Sequence, residues 1–155
     1  MREIERKFLV SDTSFKEEAY CSTRIAQGYI CKRKVTARVR IYGQTAFITF
    51  KGKSKDGGLS RFEYERAIPI RCAQLLLSRC SGTVEKIRHL VKYGDHTWEI
   101  DEFEGENQGL VIAEVELGSV EERPQIPQWI WKEVTGDFHY HNSYLVQRPY
   151  TKWFK

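Results

Sequence analysis

The 155 residues contain no apolar run approaching the roughly 20 residues that a membrane-crossing helix needs. Nor do the first positions leave room for the apolar stretch of a secretion leader, because Arg2, Glu3, Glu5, Arg6 and Lys7 crowd them. The expectation is a cytoplasmic chain with no membrane partner. Cysteine is sparse and unpatterned: Cys21, Cys31, Cys72 and Cys80 include no CxxC spacing, so they read as reduced thiols rather than as a disulfide frame or a zinc site. Of His89, His96, His139 and His141, only the last two could share a face, which is a poor basis for a zinc centre. An excess of one charge sign is missing too. The 25 Lys and Arg stand against 21 Asp and Glu, a balance that allows an anionic ligand without announcing nucleic acid. With 41% hydrophobic residues the chain is not disordered, and its length suits one domain, 1–155, with its own core.

What the sequence has is alternation of side chains along β-strands. The run Glu3 to Val10 sends Glu3, Glu5 and Lys7 to one side and Ile4, Arg6, Phe8 and Val10 to the other. The device recurs at Val35–Ile41, Thr45–Lys51, Arg61–Ala67, Thr83–Tyr93, Thr97–Phe103 and Leu110–Leu117, several of them joined by hairpin turns. A further strand is expected near Ile25–Cys31, where an internal Gly28 suggests a bulge or a close backbone approach. Helical patterns are expected at 69–79, opening on Pro69, and at 126–134, with another short helix from Asn142 to about Val146. Ser14 to about Tyr20 could form another short helix or turn, and 52–58 is a basic loop carrying Lys53 and Lys55.

The charges on these strands come as i, i+2 pairs sorted by sign: Glu3/Glu5, Arg38/Arg40, Glu63/Glu65, Lys86/Arg88, Glu99/Asp101 and Glu114/Glu116. Like charges on one face of a strand lie about 6.5–7 Å apart and repel by roughly 2–2.5 kcal/mol at an effective dielectric near 20. A merely solvated face would gain by mixing the signs. Acidic pairs that hold a divalent cation and basic pairs that hold an anion remove the conflict, because magnesium and manganese take oxygen ligands and Lys and Arg suit phosphate. If the sheet closes, the charged faces become a lumen. The apolar faces then turn outward, under the helices at 69–79 and 126–134 and the aromatic tail at Tyr150, Trp153 and Phe154. The expected class is α+β, mainly antiparallel β: an eight-stranded closed, tunnel-like barrel with a charged lumen and helices packed outside.

The segment Glu3-Ile4-Glu5-Arg6-Lys7-Phe8-Leu9-Val10 resembles the N-terminal ExExK signature of the CYTH superfamily, the triphosphate tunnel metalloenzymes, in its short bacterial tripolyphosphatase-like branch. Arg38-Val39-Arg40, Thr49-Phe50-Lys51, Glu63-Tyr64-Glu65, Lys86-Ile87-Arg88, Asp101 and Glu114-Val115-Glu116 follow in the family's order over nearly the whole chain. The resemblance implies hydrolysis of a linear triphosphate, first of all inorganic tripolyphosphate, with Mg2+ or Mn2+. It implies Glu3, Glu5, Glu63, Glu65, Asp101, Glu114 and Glu116 as metal ligands, Asp101 alternatively as an acid orienting a neighbouring cation. Lys7, Arg38, Arg40, Lys51, Lys86 and Arg88 are implied as phosphate-binding cations, and Lys7 with Tyr29 as the pair that activates water. Glu99 is expected at the tunnel rim. Where relatives carry an Arg, this chain has Phe138-His139-Tyr140. A class IV-type adenylate cyclase, a thiamine triphosphatase and a catalytically silent polyphosphate or RNA-end module are the alternatives. A homodimer is compatible with exposed apolar strand faces.

Overall fold

The computed structural model describes residues 2–32, 36–53, 57 and 59–154. These residues form nine strands: β1 (Arg2–Val10), β2 (Cys21–Lys32), β3 (Thr36–Tyr42), β4 (Thr45–Lys51), β5 (Ser60–Ala67), β6 (Thr83–Tyr93), β7 (His96–Phe103), β8 (Val111–Glu116) and β9 (Ile130–Glu133). Three short α-helices accompany them: α1 (Phe15–Glu18), α2 (Ile70–Ser78) and α3 (Asn142–Gln147). Every pairing is antiparallel, and the order β5-β4-β3-β2-β6-β7-β8-β1 closes on itself because β1 also pairs with β5. The result is the eight-stranded barrel that the alternation called for, which leaves no free sheet edge around the ring.

The ninth strand replaces the helix expected over 126–134. Pro124 and Pro127 lack backbone donors and force the residues before them into extended conformations. Beyond Ile4, where β5 departs, β1 offers an unpaired edge that a strand can satisfy. Ile130–Glu133 takes it, with Phe8 opposite Glu133 and Leu9 opposite Lys132. β2 is longer than expected because its partners are staggered: β6 pairs with Cys21–Gly28 and β3 with Ile25–Lys32. Of the expected strand Val35–Ile41, Val35 lies outside the described residues, as does Lys55 of the basic loop. At Gly28 the close backbone approach is real. A Cβ there would sit 2.8 Å from Cys80 Sγ and 3.2 Å from Leu77 Cδ2, so the missing side chain lets the end of α2 press onto β2.

The outer faces are covered in two places. Phe8, Val91, Trp98, Ile100, Ala113, Val115 and Leu117 pack under Phe15 of α1 and under Trp129, and Val39 and Ala46 pack under Ala73 of α2. Each large aromatic so buried removes about 150–250 Å² from water, a gross gain of ~4–6 kcal/mol at 25 cal/mol per Å². The aromatic tail does something other than expected. Leu9, Val84, Phe103 and Ile112 share inward parity with the charged residues of their strands, and they cluster with Leu145, Tyr140, Tyr150 and Trp153. The tail and α3 therefore close one end of the bore instead of covering its outside. The last inward positions of four strands are apolar, and an apolar barrel end needs a lid.

Candidate active site

Strand register sets cations opposite acids or polar groups at several positions, although Glu5 faces Glu116 and Glu99 faces Glu114. Lys7 faces Glu114, Lys51 faces Glu63, Arg88 faces Asp101, and Arg38 faces Thr49, which in turn faces Glu65. All of these side chains but Asp101 and Thr49 line, with others, a polar cavity of about 250 Å³ inside the barrel. Its wall carries Glu3, Glu5, Glu63, Glu65, Glu99, Glu114 and Glu116 opposite Lys7, Arg38, Arg40, Lys51, Arg61 and Arg88, with Tyr29, Thr36 and residues 135–136 and 141–143 completing it.

The carboxylates crowd one another. Burial, then a hydrogen bond to Glu63, raises Glu3 above the ordinary glutamate range. Burial, then the charges of Glu114 and Glu3, raises Glu5 well above it. Burial works to raise Glu114 as well, but Lys7 and the hydrogen bond from Glu5 outweigh it and hold Glu114 far below. The same balance holds Glu63 down, through Glu3, Lys51 and Arg38. Within each pair one carboxyl is pushed up and the other held down, because two carboxylates in contact resist ionising together. Glu116 is raised by burial and by Glu3, and Glu99 by burial despite Arg88, whose Nη1 donates to it at 3.3 Å. Among the described residues no three His, Cys, Asp or Glu side chains are already gathered tightly enough to hold a metal ion. The donor set is nonetheless what magnesium or manganese takes, carboxylate oxygens in excess.

The cations crowd too. Burial, then Arg38 and Arg88, pulls Arg40 down to about 9, and burial with Arg38 lowers Lys51, whose Nζ donates to Glu3 at 3.2 Å. Arg38 Nη2 donates to Thr49 Oγ1 at 3.3 Å and lies 3.8 Å from Glu65, yet its buried Nε has no hydrogen-bond partner among the described residues; the same is true of Arg61 Nε. A buried donor on a charged group without an acceptor costs about 1–3 kcal/mol or more. Lys7, Arg38, Arg40, Lys51, Arg61 and Arg88 on the wall of one cavity describe an anion site.

Two of the expected residues stand behind the wall. Asp101 accepts from Arg88 Nε at 2.8 Å, from Arg88 Nη2 at 2.9 Å and from Lys86 Nζ at 2.7 Å, which hold it far below the ordinary range although burial opposes them. Lys86 is wholly buried; it also donates to Asn142 Oδ1 at 3.0 Å, and burial pulls it down to about 7 against the pull of Asp101. Glu99, expected at the rim, lies in the wall. His139 lies on the lid instead, its ring stacked on Phe138 and its Nδ1 2.7 Å from Asp137. His141 does face the cavity, where burial, then Lys7 and Arg61, lowers it to about 4.

Arg61 and Gln27 belong to no like-charge pair, although strand parity points to both. Arg61 alternates with Glu63 and Glu65, and Gln27 with Tyr29. Thr135 and residues 141–143 left no such trace. They reach the cavity because β9 docks on β1, after which Lys7 N donates to Thr135 Oγ1 at 2.9 Å, and because α3 closes the bore.

Comparison with known proteins agrees with this geometry. Residues 1–150 match the CYTH domain. The chain is 43% identical over 152 residues to the inorganic triphosphatase of Acetivibrio thermocellus, covering 96% of each chain. It is 36% identical to the inorganic triphosphatase of Nitrosomonas europaea, covering 94% of this chain and 97% of that one. The crystal structure of the inorganic triphosphatase NE1496 superposes with a TM-score of 0.68 at 32% identity, over 93% of this chain and 97% of that one. A closed antiparallel barrel, an enclosed set of paired acids and bases, and a match along nearly the whole sequence make this chain a member of the CYTH family.

Proposed function

We propose that the chain is a divalent-metal-dependent triphosphatase that hydrolyses a linear triphosphate, inorganic tripolyphosphate first, to pyrophosphate and orthophosphate. The observation that carries this is the cavity itself: crowded carboxylates share its wall with six cations, and a metal-chelated polyphosphate answers both sets at once. The names of the relatives from Acetivibrio thermocellus and Nitrosomonas europaea support it. Among the described residues of the wall, Tyr29 is the one phenyl-type ring, and it is hydrogen-bonded to Gln27, which speaks against a stacking site for adenine or thiamine.

In this reading Glu3, Glu5, Glu63, Glu114 and Glu116 are the oxygen donors for Mg2+ or Mn2+, with Glu65 beside them. When bound, the cation neutralises phosphate charge and polarises the phosphoryl oxygens. Lys7, Arg38, Arg40, Lys51, Arg61 and Arg88 hold the chain of phosphates and stabilise charge as it develops on the phosphoryl group in flight. Water attacks the terminal phosphorus in line, its oxygen forming the new P–O bond as the bridging P–O bond breaks and pyrophosphate leaves. Lys7 and Tyr29 sit beside that path. Asp101 acts as an orienting acid for Arg88, with Lys86 behind it, and not as a metal ligand, since its oxygens already serve both cations.

A cytoplasmic setting fits the free thiols of Cys21, Cys72 and Cys80, and no helix among the described residues is long and apolar enough to cross a membrane. The exposed outer face with Phe50, Phe62 and Tyr64 fits a homodimer. Purified protein given tripolyphosphate, ATP or thiamine triphosphate with Mg2+ or Mn2+ decides the reaction. Metal-dependent release of orthophosphate from tripolyphosphate is expected, and cyclic AMP with pyrophosphate from ATP would overturn the assignment.

A further inference from the structure

α3 reaches past the cavity wall. Its first residue, Asn142, lines the cavity, and its Oδ1 accepts from Lys86 Nζ at 3.0 Å. The atom facing the ammonium must be the oxygen, because an ammonium and an amide nitrogen both only donate. Lys86 has no exposed surface. Its ammonium also donates to Asp101 Oδ2 at 2.7 Å and lies 5.5 Å from the centre of the Phe103 ring. That same Oδ2 accepts from Arg88 Nη2 at 2.9 Å, while Asp101 Oδ1 accepts from Arg88 Nε at 2.8 Å. This fork sets the plane of the Arg88 guanidinium, whose third nitrogen, Nη1, lies 3.3 Å from Glu99 on the cavity wall. A continuous line of bonds thus runs from Asn142 on the lid through Lys86 and Asp101 to Arg88, and ends at the cavity.

Stability does not call for this line. Buried charge pairs seldom repay their desolvation better than apolar side chains of similar volume, and Val84, Phe103, Leu110 and Leu145 already form an apolar cluster at this end of the barrel. What the line does fix is a direction. An ammonium that cannot reach water and has lost its amide acceptor turns wholly to Asp101, where it competes with Arg88 Nη2 for Oδ2. The fork then tilts, and the guanidinium tilts with it.

We infer that Asn142 is a positioning residue: by taking one hydrogen of Lys86 it keeps Asp101 square to Arg88, and so aims Arg88 at a phosphoryl group in the cavity. This rests on the triphosphatase reading of the cavity.

N142L keeps the size of the side chain and removes the acceptor. Its kcat for tripolyphosphate with Mg2+ is expected to fall about tenfold to a hundredfold, the range seen when a partner that orients an active group is lost. KM should move less, because ground-state binding is shared among six cations. N142L also strands a buried ammonium and should be less stable in urea. K86M with N142L replaces the pair by two apolar side chains, which should return the urea midpoint to about that of the wild type. Its kcat should nonetheless stay low, and no lower than in K86M alone, the signature of groups that act as a unit. An Asn142 that served only the fold would recover activity together with stability. A further readout needs no turnover. The Arg88 Nε–H resonance in proton–nitrogen NMR spectra, assigned by its absence from R88K, should shift or exchange faster with solvent in N142L and in the double variant.

If N142L does not fold, K86M against K86M with N142L carries the test, and a further loss of kcat in the double variant overturns the assignment. Wild-type kcat in N142L, a double variant that regains kcat along with its stability, or an unmoved Arg88 resonance each overturn it as well. A wild type that hydrolyses no tripolyphosphate refutes the triphosphatase reading and leaves the Arg88 resonance to decide Asn142.

Discussion

At Glu5 the fold keeps a carboxyl group where its ionised form is unwelcome. Burial and the neighbouring charges of Glu114 and Glu3 raise it well above the ordinary value. The sign of the pH effect follows. A carboxyl raised on folding contributes its stabilisation fully below the unfolded value of about 4.5 and loses it as the pH rises through the folded value. Glu5→Gln retains a neutral side chain of the same shape at every pH. The metal-free variant should therefore match the wild type near pH 4 and exceed it in urea unfolding at neutral pH, with a gap that widens as the pH rises. The same substitution should abolish metal-dependent turnover, since an amide oxygen is a poor substitute for a carboxylate toward magnesium. A Glu5→Gln enzyme with normal activity and an unchanged pH profile of stability would remove Glu5 from the metal end of the cavity. The conflict between stability and activity at one position is what a site held ready for an absent charge should display.

Among the elements, the lid contrasts most sharply with the wall. α3 has only six residues, too few to be stable alone, and it is held by Leu145, which is fully buried against Val84, Phe103, Leu110 and Ile112. Leu145→Ala should cost about 2–5 kcal/mol through lost burial and the cavity left behind, measured as a drop in the urea midpoint; a loss under ~1 kcal/mol would mean that the lid is not packed as described. The barrel strands other than β2 were legible in the sequence because each carries a two-residue period with charge on one side, and that period also placed Glu3, Lys7, Arg38, Arg40, Lys51 and Glu114 in one bore; β2, with uncharged Gln27 and Tyr29 turned inward, was legible only in part. Legibility failed where the signal was short or tertiary. β9 has four residues and an exposed Trp131, so its pattern carries no alternation strong enough to outweigh a helical spacing around Trp129, Ile130 and Val134. The lid failed differently. Leu9, Val84, Phe103 and Ile112 were readable as inward by parity, but each strand taken alone gives no hint that four apolar ends meet. The backward placement of Asp101 and Lys86 follows from their bonds to Arg88 and Asn142, which no single strand contains.

For the molecule as a whole, the barrel is built around a set of charges instead of an apolar core. The hydrophobic clusters lie outside the sheet and at one end, while the centre holds acids and bases in a cavity of about 250 Å³. An eight-stranded barrel is ordinarily narrow enough for side chains to fill; here the filling is completed by whatever neutralises the charge. Stability and occupancy are then linked by mass action, because a ligand that binds only the folded state adds RT ln(1 + [L]/Kd). Tripolyphosphate with divalent cation at a hundred times its Kd should add about 2.7 kcal/mol. For a chain of this size that is a rise of roughly 5–10 °C in Tm, at about 2–4 °C per kcal/mol. Because catalysis consumes the ligand, the measurement is best made by scanning calorimetry on Glu5→Gln with tripolyphosphate alone, and on the wild type with calcium, a larger cation that the octahedral demands of magnesium chemistry do not favour. Arg40→Ala removes one of the cavity's arginines and should shrink the shift at fixed ligand concentration, whereas a substitution on the outer wall such as Phe62→Ser should leave it unchanged. Equal shifts in Arg40→Ala and the wild type would mean that the polyphosphate binds somewhere other than the bore.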